Sequence, residues 1–170
     1  IPREYHDDML RMLLDDIEIK YPLHGIRRPN LVVISGDIAD WAEPAEYTRA
    51  TEFIEGLCAG LQRITGADPP IGASAVIVVP GNHDINHELS KSGMDSSGDG
   101  EGPTWTPNDL YPHRIETFRD WFNTFFSGRH TYPLDAHRQY TVFDYTNRFG
   151  LLVVGFNSCH EEDHYRHWGH

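Results

Sequence analysis

Two short apolar runs constrain this chain more than any other feature, because each ends in a glycine followed by oxygen-bearing side chains. Leu31-Val32-Val33-Ile34-Ser35 leads into Gly36-Asp37-Ile38-Ala39-Asp40. Ala75-Val76-Ile77-Val78-Val79-Pro80 leads into Gly81-Asn82-His83-Asp84. Short β-branched runs of this kind read as strands buried on both faces. Between them, Pro44 opens a segment with Ile54, Leu57, Leu61 and Ile64 on one face, ending near Gly66, which predicts a helix. Strand, helix, strand implies a parallel pair with a right-handed crossover. That topology brings Asp37 and Asn82 to one edge of a sheet, where the loops of α/β proteins carry chemistry.

The rest of the chain supports an α/β reading. Leu10, Leu13, Leu14 and Ile17 recur at helical spacing, which predicts a helix over 3–20 with Pro2 at its start. Residues 90–109 are rich in Ser, Gly, Asp and Pro and read as a solvated loop, or as a flap beside the second motif. Ile115, Phe118, Trp121, Phe122, Phe125 and Phe126 form a broad apolar face over 113–127. An aromatic stripe of this kind is core before it is a ligand box. Residues 138–146 and 149–157 predict a hairpin around Thr146-Asn147-Arg148, with the second strand ending in Asn157-Ser158.

Taken together, the ordered pair GDxxD and GNHD resembles the calcineurin-like metallophosphoesterases. The resemblance implies a four-layer α/β/β/α sandwich with mixed sheets and two divalent metal ions, Mn, Fe or Zn, that hydrolyse a phosphate ester. It places Asp37 as a carboxylate able to bridge two cations and Asn82 as a neutral amide ligand. It places His83 beside the metals, to stabilise the phosphoryl group or protonate the leaving oxygen. Asp84 is expected to accept a bond from the other ring nitrogen of His83. Gly36 and Gly81 let the backbone turn and approach a ligand, and Asp40 is expected to anchor its loop. Protein phosphatases of the family read GDxxDRG and GNHE. Here Trp41-Ala42 follows Asp40 and the second motif ends in Asp84, which is more similar to the bacterial phosphodiesterase-like branch. A strand ending in Asn-Ser extends the resemblance toward the C-terminus.

The family pattern also contains an Asp-x-His before these motifs and a Gly-His-x-His after them. No Asp-x-His precedes the first motif, since Asp135-Ala136-His137 comes after both, and no Gly-His-x-His occurs. The expectation is a metallophosphoesterase domain over 1–170, partial in this chain and part of a longer polypeptide. His87, close behind the second motif, and His160, behind the last strand, are further candidates to touch the site. The alternative is a regulatory or interaction module that keeps the fold without the catalysis.

Composition narrows the partners. Net charge is −12, which disfavours a nucleic-acid face though it leaves a small phosphate ester or nucleotide as substrate. No apolar run approaches membrane-spanning length. Cys58 and Cys159 lack metal-like spacing and read as buried reduced thiols, which with the absence of a signal-like start points to the cytoplasm.

Overall fold

The computed structural model describes residues 3–27, 29–97 and 104–159. It is a mixed α/β arrangement of helices and small sheets in two compact units.

The first unit comprises Ile1–Val33 and Thr48–Ile77. Helix α1 (Arg3–Leu23) lies against helix α2 (Pro44–Thr65), and small residues make the approach possible. A Cβ at Gly56 would lie 2.7 Å from Leu10 Cδ2, and one at Gly60 would strike the Leu14 side chain. Arg63 joins Glu18 across the pair at 2.9 Å. Ile54, Leu57, Leu61 and Ile64 are buried, as their spacing predicts. On α1 only part of the expected face is covered: Ile17 is buried, whereas Leu13 is exposed together with Met9 and Met12. Strands β1 (Val32–Ile34) and β2 (Val76–Val78) pair in one two-stranded sheet, shorter than the apolar runs that announce them. β2 is buried throughout, but Val33 of β1 is exposed.

The second unit comprises Ile34–Tyr47 and Val78–His170. Its core is aromatic. Helix α4 (Glu116–Phe125) buries Phe118, Trp121 and Phe122, and Phe126 follows at its end. Phe122 packs against Phe126 at 4.6 Å and against Tyr132 at 5.4 Å between ring centroids. Phe126 reaches Phe143 at 5.9 Å. The stripe read from the sequence is therefore core, although its first turn is a tighter 3-10 segment, Tyr111–Ile115. Pro112 removes a backbone donor there, which suits a helix start.

The hairpin of β5 (Tyr140–Tyr145) and β6 (Leu151–Phe156) is antiparallel, with Tyr140 opposite Phe156 and Val142 opposite Val154. Its connection is not a tight turn at Thr146-Asn147-Arg148. A short helical turn, α5 (Thr146–Phe149), ends at Gly150, whose φ of 65° suits glycine. Thr141, Phe143 and Tyr145 point inward in strict alternation. The opposite face carries Tyr140, Val142, Leu152, Val154 and Phe156, all exposed.

One segment departs from the sequence reading. The described residues within 90–109 are more than a plain loop. Helix α3 (His87–Ser92) runs into strand β3 (Met94–Ser97), which pairs antiparallel with β4 (Thr104–Pro107). Asn108 fastens the base by donating to Ser92 O at 3.2 Å and to Asp95 Oδ1 at 3.0 Å. Polar strands with only Met94 buried on β3 leave little alternation to read. Among the described residues no helix is long and apolar enough to cross a membrane.

Phe122→Ala removes a fully buried ring and is expected to cost about 3–5 kcal/mol. The check is a lower urea midpoint at an unchanged slope. Val142→Ala, on the exposed hairpin face, should stay within roughly 0.5 kcal/mol of the parent.

Candidate active site

The two glycine-tipped loops touch, backbone against backbone, where they leave β1 and β2. Val79 N donates to Ile34 O at 3.2 Å just before the loops begin. A Cβ at Gly36 would lie 2.6 Å from Gly81 Cα, and Gly36 has φ +111° besides. A Cβ at Gly81 would strike the amide and carboxylate of Asp37. Both positions therefore need glycine for space, and Gly36 needs it for conformation as well. Asp37 itself sits at φ 55°, uncommon for a residue with a side chain and found where surrounding structure enforces it.

GNHD folds into a single 3-10 turn, Asn82–Asp84. The His83 amide donates to Asp37 Oδ1 at 3.2 Å, so the second loop grips the first through an amide-to-carboxylate bond. Asp37 is exposed and Asn82 half-buried, which leaves their oxygens able to meet a ligand.

His83 and Asp84 do not form the expected pair. His83 Nδ1 lies 3.0 Å from the Asp40 carbonyl and 3.3 Å from Asp40 Oδ1. A carbonyl only accepts, so the contact places a proton on Nδ1 and turns Nε2 away from it. The Asp40 carbonyl is the main influence that raises the His83 pKa above the ordinary imidazole value. Partial desolvation opposes it, and the charges of Asp37, Asp40 and Asp84 add to it. The ring is 47 % exposed.

Asp84 is instead wholly buried. Its carboxylate accepts from Gly81 N at 2.8 Å, Tyr47 Oη at 2.8 Å, Ala39 N at 3.2 Å and Ile38 N at 3.3 Å. Burial raises its pKa above the usual carboxylate value against the pull of those donors. All four neighbours donate, so the ionised form is the one this geometry completes. Relative to the sequence reading, the two acids exchange tasks. The imidazole meets Asp40, chiefly through its carbonyl, and the Asp84 carboxylate meets backbone amides of both loops. The physical reason is that a buried carboxylate needs several donors, and backbone amides of both loops supply them.

Two further residues shape the site. Glu46, in the first turn of α2, accepts from Asp40 N, Trp41 N and Glu43 N at 3.3, 3.1 and 2.9 Å and so clamps the loop behind Asp40. An acid beside Pro44 at a helix start was the available signal. Tyr47 belongs by spacing to the apolar face of α2, but nothing in the sequence shows where its hydroxyl goes. Its pKa is raised by burial and then by Asp84. Asn157, after β6, is buried, donating to Gln139 Oε1 at 2.7 Å and accepting from Cys159 N at 2.8 Å, so it locks a strand end. His87 opens α3, one element beyond the turn. His160, with His164, His167 and His170, lies outside the described residues.

The model of the calcineurin-like phosphoesterase family, Metallophos, matches residues 4–164, and the chain belongs to that family. It is also similar to the cAMP/cGMP dual specificity phosphodiesterase MT0825 of Mycobacterium tuberculosis (strain CDC 1551 / Oshkosh). The two are 35 % identical over 103 residues, 61 % of this chain and 26 % of that protein. The chain thus matches about a quarter of the length of this curated relative. No solved structure matches the chain.

Members of the family typically use divalent metal ions. The exposed carboxylate of Asp37 and the amide of Asn82, on loops held in backbone contact, suit a hard divalent cation. Among the described residues no three His, Cys, Asp or Glu side chains cluster closely enough to hold an ion.

Gly81→Ala forces the Asp37 carboxylate aside and is expected to cost about 1–3 kcal/mol, as overpacking does. Gly72→Ala is the control, because a Cβ there meets open space. Thermal unfolding of both variants checks the difference, with the Gly81 variant expected to melt several degrees lower.

Proposed function

We propose that Asp37, Asn82 and His83 belong to the active site of a metal-dependent phosphodiesterase acting on a small phosphate ester or nucleotide. The observation that carries the reading is the backbone contact of the two loops. It sets a carboxylate, an amide and an orientable imidazole at one edge. Family membership supports phosphoester hydrolysis. The similarity to a cAMP/cGMP phosphodiesterase supports a diester, and a nucleotide in particular. Within this reading the sheets belong to a four-layer sandwich and the domain extends over 1–170.

Asp37 and Asn82 would hold divalent cations, two in the full site, with Mn, Fe or Zn the expected identities. Bound cations supply Lewis-acid charge that draws a phosphoryl oxygen and lowers the pKa of a bound water. His83 does the proton work. Its Nδ1 is fixed on Asp40, so Nε2 presents a proton to the leaving oxygen or a positive charge to the phosphoryl group. Asp40 keeps the ring from rotating, and Glu46 keeps the Asp40 segment in place. Asp84 holds the loops at their spacing without touching the reacting atoms.

The test is hydrolysis of bis(p-nitrophenyl) phosphate and of a cyclic nucleotide with Mn²⁺ present. Asp37→Asn is expected to lower Mn²⁺ affinity and abolish turnover together. Retained affinity with normal turnover removes Asp37 from the site. His83→Ala should keep Mn²⁺ affinity while kcat falls roughly 10²–10⁴-fold. The fall should be smaller for the nitrophenolate leaving group, which needs no proton. Equal losses for both substrates would leave His83 a charge-stabilising role only. A module without catalysis predicts no turnover and no change in Mn²⁺ affinity with either substitution.

A further inference from the structure

We propose that Tyr47 is a positioning residue for this site, setting the separation of the two loops through Asp84. The proposal deepens the reading above and rests on it. The Tyr47 hydroxyl donates to Asp84 Oδ1 at 2.8 Å, and both residues are buried, at 2 % and 0 % exposure. The same carboxylate binds Ile38 N and Ala39 N on one loop and Gly81 N on the other. Ile38 directly follows Asp37, and Gly81 directly precedes Asn82. One carboxylate therefore ties together the peptide neighbours of both proposed ligands, and one phenol holds that carboxylate from the far side.

The phenol is itself held. The Tyr47 ring stacks on Trp121 at 5.3 Å with 30° between planes and meets Phe118 edge-on at 6.4 Å. Both partners come from α4 and are buried. The aromatic core thus fixes the ring, the ring fixes the hydroxyl, and the hydroxyl fixes Asp84. Without it, Oδ1 keeps only the longer bond from Ala39 N, and the carboxylate is free to rotate toward Gly81 and release the first loop. Hydrogen bonds to a charged group are among the stronger kind. Residues that orient a ligand through one intermediary typically change metal affinity or activity by about 10–100-fold.

Tyr47→Phe tests this because the ring packing survives and only one oxygen is lost. Tyr132→Phe is the matched control. Tyr132 is also buried and also packs edge-on against Phe118, at 5.0 Å, but its hydroxyl has no hydrogen-bond partner among the described residues. Three readouts are taken: Mn²⁺ affinity by water-proton relaxation, kcat and KM separately for the chromogenic diester, and amide hydrogen exchange at Ile38, Ala39 and Gly81. For Tyr47→Phe we expect Mn²⁺ affinity and kcat to fall about tenfold or more, KM to change little, and exchange to quicken at those three amides. Tyr132→Phe should match the parent in all three. Unchanged exchange and unchanged Mn²⁺ affinity in Tyr47→Phe overturn the proposal while leaving the phosphodiesterase reading intact. Equal losses in both tyrosine variants also overturn it, since the Tyr132 hydroxyl makes no hydrogen bond to Asp84 and the effect is then not specific to the Tyr47 bond. If the parent neither binds Mn²⁺ nor hydrolyses the diester, both the reading and the proposal fall.

Discussion

A buried carboxylate with four donors is the constraint around which the second unit is organised. Asp84 is removed from water, so its charge must be met inside the protein. It is met by backbone amides from two loops and a phenol from a helix. Each donor restricts where its own segment can go. The loop after β1 must bring Ile38 and Ala39 within reach, Gly81 must fold back over its own turn, and α2 must begin close enough for Tyr47. Losing any one donor leaves the others holding a partly satisfied buried charge, which is more costly than the single bond suggests.

Glycine supplies the complementary, steric half of this arrangement. The amides of both loops can reach one carboxylate only if the backbones almost touch, and Gly36 and Gly81 remove the two Cβ atoms that would keep them apart. Asp37 pays a conformational cost at φ 55° in the same small region. A strained acid beside a relaxed glycine is what results when amide-to-carboxylate bonds on either side dictate the geometry. His83 N on Asp37 Oδ1 and the Asp84 clasp are those bonds.

The scaffold was legible wherever one physical signal dominated. Ile54, Leu57, Leu61 and Ile64 are buried because helical spacing leaves no other face for them. Phe118, Trp121 and Phe122 read as core because rings of that size have no other use in a charged chain. Thr141, Phe143 and Tyr145 alternate cleanly. The strands beside the site were located but overextended, because Val79 and Pro80 already belong to the loop that turns toward Gly81. The pairing of β3 with β4 escaped because it rests on backbone bonds between mostly polar residues, which leave no periodic trace. Within the site, the motif pattern placed Asp37, Asn82, His83 and Asp84 on one edge, but not who bonds to whom. Asp84 stands next to His83 and Asp40 43 residues before it, and sequence distance favoured Asp84. Burial decided otherwise, and burial of a single acid is invisible without the tertiary fold.

This exchange of tasks separates two requirements that one carboxylate would serve poorly. An acid that anchors two loops must be dry, ionised and immobile. Under the proposed proton-transfer role, a partner for the imidazole must tolerate a ring that changes charge. In this site the anchoring falls to Asp84, and the shorter contact of the ring is with the neutral carbonyl of Asp40. A carbonyl accepts from Nδ1–H in both the neutral and the protonated ring, and more strongly in the charged one, since that nitrogen carries a proton in both. The contact that orients His83 is therefore kept in both charge states of the ring. The spacing of the loops is likewise insulated from events at the exposed edge, because the group that sets it is buried beneath them.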